Sequence, residues 1–186
     1  MKKLYIFDCF GVICGEIAPI WFANRYGEEQ ANILKPKYFK GADLGEKNIS
    51  ELFDTMSLEL DIKVEDIIKE WQDLIVIDKK VLDLIVELKK NDRVAMLSNA
   101  PEGLMAWVFE GYDMNKYFDR IFISGECKIA KPDRRFYQMC VDSFEEKFDK
   151  IYMIDDNEVN LKGLDQIGIT PVLYKDIEKL RKYIGV

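Results

Sequence analysis

The sequence of 186 residues contains no histidine. That absence excludes Ser-His-Asp triads, Cys-His nucleophile pairs, histidine-ligated zinc and imidazole acid–base catalysis. Any catalysis must run on carboxylates, lysine, hydroxyls or a metal. Cysteine is sparse as well, and Cys9, Cys14, Cys127 and Cys140 show no C-x-x-C spacing. Free, partly buried thiols in a reducing compartment are therefore expected. Excess positive charge is also missing: the formal net charge is −7, which disfavours nucleic acid or an anionic membrane as partner. An anionic ligand would need a local lysine or a metal. No stretch approaches the roughly 20 apolar residues of a membrane span. Lys2 and Lys3 precede an apolar run, but Asp8 interrupts it and no small-residue cleavage site follows. The expectation is a soluble cytoplasmic protein, monomer or homodimer.

What is present is a globular composition, 48% hydrophobic, long enough for one core with a small inserted module. The run Leu4-Tyr5-Ile6-Phe7 reads as a buried parallel strand that delivers Asp8 into the turn Cys9-Phe10-Gly11. A carboxylate there is costly to desolvate, so a cation, hydrogen-bond donors or chemistry must accompany it. Residues 15–78 then lose strand character. Ile49, Leu52, Phe53, Met56 and Leu60 form one helical face with Asn48 near its start, and Ile67 and Trp71 continue the theme. Pro19 to Tyr26 reads as another helix, and Pro36 to Gly45 as an irregular, lysine-bearing connection. The aromatics Trp21, Phe22, Tyr38, Phe39 and Trp71 are expected to fill a small helical core rather than line a pocket.

Beyond residue 78 helix and strand alternate. Arg93 to Leu97 reads as a strand ending at Ser98-Asn99, and Pro101 opens a helix. Arg120 to Ile123 is a strand, and Phe136, Met139, Cys140 and Phe144 mark one face of the next helix. Lys150 to Ile154 is a strand ending at Asp155-Asp156, Gly168 closes the helix after it, and Thr170 to Tyr174 is the last strand. This order implies an α/β fold, a mainly parallel sheet with helices on both faces. Such sheets bind ligands beyond the carboxyl ends of their strands. Asp8, Ser98 and Asp155-Asp156 all lie at such ends and should converge.

The converging residue types suit a phosphate ester, whose attack needs a nucleophile plus positive charge around the phosphoryl oxygens. Asp8 is placed to form an aspartyl-phosphate. Asp155 and Asp156 opposite it supply hard oxygen ligands for Mg2+. Ser98 is placed to bind a phosphoryl oxygen. Lys131 in Ala130-Lys131-Pro132-Asp133 is the natural cation, because Pro132 biases it to an extended conformation ahead of a helix.

Phe7-Asp8-Cys9-Phe10-Gly11-Val12, Leu97-Ser98-Asn99, Lys131-Pro132 and Ile154-Asp155-Asp156-Asn157-Glu158-Val159-Asn160 resemble, in order, motifs one to four of the haloacid dehalogenase-like hydrolase superfamily. The resemblance implies a Rossmann-like core over residues 1–14 and 79–186, with residues 15–78 as an α-helical type 1 cap. It implies Asp8 as nucleophile and Ser98, Asn99 and Lys131 at the phosphate. It further implies Mg2+ held by Asp8, the Phe10 carbonyl, Asp155 and Asp156, with Asp156 the direct ligand of the acidic pair, and Asn160 supporting them from behind. A small phosphorylated metabolite, such as a sugar phosphate, is the implied substrate.

Phe10 departs from the pattern. Phosphatases of the superfamily usually carry there an aspartate that protonates the leaving alcohol and then activates water, work worth roughly 10²–10⁴-fold. The backbone carbonyl survives the change and the proton donor does not, leaving Glu16 or a water as substitute. Two further readings follow from it. One is a metal-independent 2-haloacid dehalogenase, similar to this chain in its aromatic residue at the position of Phe10, for which Arg25 is the candidate guanidinium. The other is a catalytically weak phosphate- or metal-binding regulatory protein.

Overall fold

The computed structural model describes residues 2–186. Its centre is a five-stranded sheet in the order β3-β2-β1-β4-β5, with β1 (Lys3–Phe7), β2 (Arg93–Ser98), β3 (Arg120–Ile123), β4 (Lys150–Asp155) and β5 (Ile169–Leu173). Every neighbouring pair is parallel. β1 sits in the middle, with the side chains of Leu4, Tyr5, Ile6 and Phe7 all fully buried and the Tyr5 hydroxyl left without a partner. Alternation along the strand sends them to different layers. Tyr5 and Phe7 join Val94, Met96, Tyr152 and Ile154 in one core, while Leu4 and Ile6 join Ala95, Leu97 and Met153 in the other.

The first core continues into four helices that follow β1: α1 (Ala18–Tyr26), α2 (Glu28–Ala42), α3 (Ile49–Leu60) and α4 (Val64–Asp73). The expected helix faces are present. Leu52, Phe53 and Met56 of α3 are buried, and Asn48 caps it through a reciprocal box with Glu51. The five aromatics are all buried in this helical core, but Phe39 and Trp71 also line a cavity, where the expectation was core packing alone. One expectation fails, since α2 runs unbroken through Pro36 where an irregular connection was expected. Pro36 lies on the exposed side of the helix, where the one lost N–H bond is cheapest, while Ala31, Tyr38, Phe39 and Ala42 anchor the opposite face.

On return to the sheet come α5 (Lys79–Lys89), α6 (Leu104–Val108), α7 (Met114–Tyr117), α8 (Ser124–Cys127), α9 (Arg134–Asp142), α10 (Glu158–Leu161) and α11 (Ile177–Ile184). α6 begins at Leu104 behind a left-handed Gly103, later than Pro101. On α9 the buried face is Phe136, Tyr137 and Cys140, and Met139 is exposed. Tyr137 draws that face inward, because its hydroxyl donates to the Asn160 carbonyl at 2.6 Å. Phe144 lies past the end of α9 and packs edge-on to Phe148. Gly168 does close its element with a left-handed residue, but the element is a 3-10 turn, Asp165–Ile167, after the single turn of α10.

All four cysteines are free, three of them buried. Among the described residues no helix is long and apolar enough to cross a membrane.

Candidate active site

The sheet delivers its polar residues where the strands stop. The ladder of β1 extends one step, Asp8 N–H donating to the Ile154 carbonyl at 2.9 Å, before the chain turns. The Cys9 carbonyl then accepts from Ile13 and Cys14 at 2.7 and 2.9 Å. Gly11 makes this turn possible at φ +76, and a Cβ on it would lie 2.2 Å from the Asp156 carboxylate. The chain's two passages between sheet and helical layer run side by side: Gly15 N–H donates to Val76 O at 2.9 Å and Asp78 N–H to Ile13 O at 2.8 Å.

Lys131 is the hub. Its buried ammonium lies 2.7 Å from Asp8 Oδ2 and 2.7 Å from Asp155 Oδ2. Cys9 N–H donates to the other Asp8 oxygen at 2.7 Å. Asp155 is saturated, taking Lys131, the Asn157 N–H at 2.9 Å and the Asn160 amide at 3.1 Å to each oxygen. Asp156 is only partly buried and lines the cavity above. Ser98, at the end of β2, is fully buried and its Oγ has no partner. Asn99 spends its amide on Lys131, donating to its carbonyl at 2.9 Å and accepting from its N–H at 2.8 Å. The Lys131–Pro132 peptide bond is cis.

The electrostatics follow from burial. Desolvation pushes the Asp8 carboxyl up to about 7, against the pull of Lys131 and with the push of Asp155. Burial works against the Lys131 ammonium, but Asp8 and Asp155 outweigh it and its pKa is raised. Desolvation and then Asp155 raise Asp156. Asp8, Asp155 and Asp156 each offer an oxygen within 4.8 Å of the others. Three carboxylates therefore share one ammonium, an imbalance that a hard divalent cation would relieve. The donor set is all oxygen, as such a cation requires, and Asp156 leaves one side open toward the cavity.

That cavity, about 140 Å³, lies between the strand ends and the helical layer. Its floor includes Asp8, Phe10, Asn99, Asp156 and Asn160, and Glu16, Lys35, Phe39, Asp43 and Trp71 come from the other side. Burial raises the Glu16 carboxyl, which Lys35 opposes, and pushes Asp43 up to about 6. The layer is seated on the sheet side by the Ile49 N–H to Glu102 carbonyl bond at 2.9 Å and by Phe53 against Trp107 at 5.9 Å.

All the predicted site residues thus converge: Asp8, Phe10, Asn99, Asp156 and Asn160 on the cavity, with Ser98, Lys131 and Asp155 buried at its base. Arg25 does not join them, because its guanidinium forks onto Glu70 with contacts of 2.8 and 2.5 Å. Sequence reasoning left open whether Asp43 or a lysine of the helical layer reaches the site, and the docking of α2 brings Asp43 and Lys35 here. Sequence reasoning missed Ser124, whose buried hydroxyl accepts from Ala100 N–H at 3.0 Å and so secures the turn after Ser98. Nothing local in Ile123-Ser124-Gly125 signals that role.

A family model for haloacid dehalogenase-like hydrolases matches residues 2–168. The chain belongs to that family and is a hydrolase. Solved structures share the fold. A HAD family enzyme from Bacteroides thetaiotaomicron aligns with TM-score 0.82 at 21% identity over 98% of both chains. That enzyme has also been crystallised in complex with magnesium and inorganic phosphate, an alignment with TM-score 0.78 at 22% identity covering 97% of this chain and 99% of that one. A predicted HAD-like hydrolase from Porphyromonas gingivalis gives 0.78 at 17% identity, over 99% of this chain and 98% of that one. The L-2-haloacid dehalogenase from Xanthobacter autotrophicus, with chloropropionic acid covalently bound, gives 0.65 at 14%, over 100% of this chain and 83% of that one.

Proposed function

We propose that this hydrolase is a Mg2+-dependent phosphatase of small phosphomonoesters, sugar phosphates or similar metabolites, with residues 15–78 as the cap over its site. One observation carries the reading: Lys131 bridges Asp8 and Asp155 at 2.7 Å while Asp156 completes a triangle of carboxylates. A dehalogenase needs no such excess of acid. Its candidate guanidinium is also engaged with Glu70, which favours the phosphatase.

In this reading Asp8, Asp156 and the Phe10 carbonyl would hold the cation, while Asp155 holds Lys131 and would add its negative charge to the same cluster. Bound Mg2+ would supply the positive charge that lets a phosphate dianion approach these carboxylates. Asp8 attacks phosphorus, a bond forming from its carboxylate oxygen as the ester P–O bond breaks, and the alcohol leaves with the electron pair. Lys131 and the unpartnered Ser98 Oγ bind phosphoryl oxygens as charge shifts. Asn99 keeps Lys131 in register, and Asn160 keeps Asp155 in place. Water then attacks the aspartyl-phosphate, releasing phosphate and returning Asp8.

The leaving alcohol still needs a proton that Phe10 cannot give. Glu16 lines the cavity with its carboxyl raised by burial, so it or a water supplies that proton. The free thiols support a reducing, cytoplasmic setting.

The test is turnover of an aryl phosphate and a sugar phosphate with and without Mg2+, with Asp8→Asn as control. Aryl oxides leave without acid help, whereas sugar alkoxides do not. Turnover of both, dependent on Mg2+ and Asp8, with the sugar ester selectively impaired in Glu16→Gln, is the expected result. Metal-independent chloride release from a chloroalkanoic acid would reverse the assignment, and tight phosphate binding without turnover would make the protein a binder.

A further inference from the structure

Two residues on the cap side of the cavity each hold a buried polar atom that the fold leaves without a partner. Asp43 Oδ1 and Trp71 Nε1 are both buried and unpaired, and both residues line the cavity with Asp8 and Asp156. Buried polar groups are nearly always hydrogen-bonded, so two orphans at one cavity call for a ligand atom. Trp71 cannot turn away to find another partner. It is 1% exposed, stacked on Phe39 at 5.8 Å and met edge-on by Phe53 at 5.0 Å. Asp43 follows directly on α2, whose Phe39 supplies that stacking ring.

We propose that Asp43 and Trp71 form a leaving-group subsite that selects a phosphoester bearing a free hydroxyl, which donates to the Asp43 carboxylate and accepts from the Trp71 indole N–H. The proposal rests on the phosphatase reading and specifies its substrate. The two orphans are of opposite kinds, an acceptor and a donor. An ammonium only donates and would leave the indole unpaired; a carboxylate only accepts and would leave Asp43 unpaired. A hydroxyl does both. Charge points the same way, because an acidic ligand group reaching Trp71 would share the cap side with the Asp43 carboxylate. A second anionic group on the substrate meets repulsion there, over a phosphate site that already concentrates negative charge.

The experiment uses four matched series of phosphate monoesters with chains of three to six carbons, ending in hydroxyl, ammonium, carboxylate or methyl. Their kcat/KM values are measured with the Mg2+-loaded protein, and their binding to the non-turnover variant Asp8→Asn by calorimetry. At the best chain length the hydroxyl ester should exceed the methyl ester by about tenfold, the equivalent of about 1.4 kcal/mol, with the carboxylate ester last. Asp43→Asn should bring the hydroxyl-to-methyl ratio toward one in both readouts, and Trp71→Phe should do so in part. A ratio near one at every length, or one that Asp43→Asn does not change, while an aryl phosphate is still turned over, overturns the subsite and leaves the phosphatase standing. Should no ester be turned over, the phosphatase reading fails, and the calorimetric preference alone then upholds or overturns the subsite.

Discussion

Asn99 holds the main chain of Lys131 on both sides, donating to its carbonyl at 2.9 Å and accepting from its N–H at 2.8 Å. Its amide supplies the donor and the acceptor from one side chain, and the contact joins two stretches 32 residues apart. The consequence falls on the ammonium, which must meet Asp8 and Asp155 at once. Asn99→Ala should cost about 10²-fold in kcat/KM, the usual penalty for a misplacement near 1 Å, and about 1–3 kcal/mol of stability from the unpaired Lys131 groups. Steady-state kinetics with urea unfolding would check it; an Asn99→Ala protein at full activity would remove the positioning role.

Lys131→Met leaves Asp8 and Asp155 buried without their cation. Breaking such an arrangement from one side costs about 3–5 kcal/mol, so the metal-free variant should melt well below the wild type. Mg2+ should recover part of the loss, since Asp156 and Asp8 still present oxygens. Differential scanning calorimetry with and without Mg2+ measures both effects. Phosphate turnover should vanish, and Lys131→Arg should not restore it, because a planar fork does not replace a point charge between two carboxylates.

Gly11→Ala tests the metal triangle without removing a ligand. Its Cβ would lie 2.2 Å from the Asp156 carboxylate, at a φ of +76 that strains any L residue. Asp156 must move, so Mg2+ affinity should fall by at least about tenfold, the lower end of what disturbed ligand orientation costs. Isothermal titration with Mg2+ reads this directly. Unchanged affinity would mean that Asp156 is not a ligand.

Asp43 gives the fold a pH signature away from the metal triangle. Burial pushes its carboxyl up to about 6 from an ordinary value of 3.8, so between those values the folded state holds more proton than the unfolded state. Stability then falls as the pH rises across that interval and levels off above it. Asp43→Asn removes this contribution. The variant should gain on the wild type between pH 4 and 6.5, by an amount on the order of 2 kcal/mol, and hold the gain to pH 8. Urea midpoints across that range check it, and parallel profiles for the two proteins would contradict it.

The sheet and the residues at its strand ends were legible because their signals are short. A run such as Leu4 to Phe7 can only be buried on both faces, and a carboxylate placed directly after it must emerge at the carboxyl edge. Four such local signals in order sufficed to name the family and to list Asp8, Ser98, Asn99, Lys131, Asp155, Asp156 and Asn160. The helical layer was less legible. Pro36 read as a break because propensity is local, whereas the packing of Tyr38 and Phe39 that carries α2 through it is not. Residue types alone do not say which carboxylate of the acidic pair is spent on Lys131 and which faces the cavity, since Asp155 and Asp156 are adjacent and chemically alike; only the family resemblance implied Asp156 as the direct metal ligand. Tertiary structure separates them: the end of β4 turns one toward Lys131 and Asn160, and the next toward the open side beside Gly11. The same holds for Glu16, Lys35 and Asp43, which face Asp8 only because four helices dock across the strand ends. Strand, turn and motif are written within a few residues, but the cavity depends on contacts between distant ones, and only the folded chain brings those together.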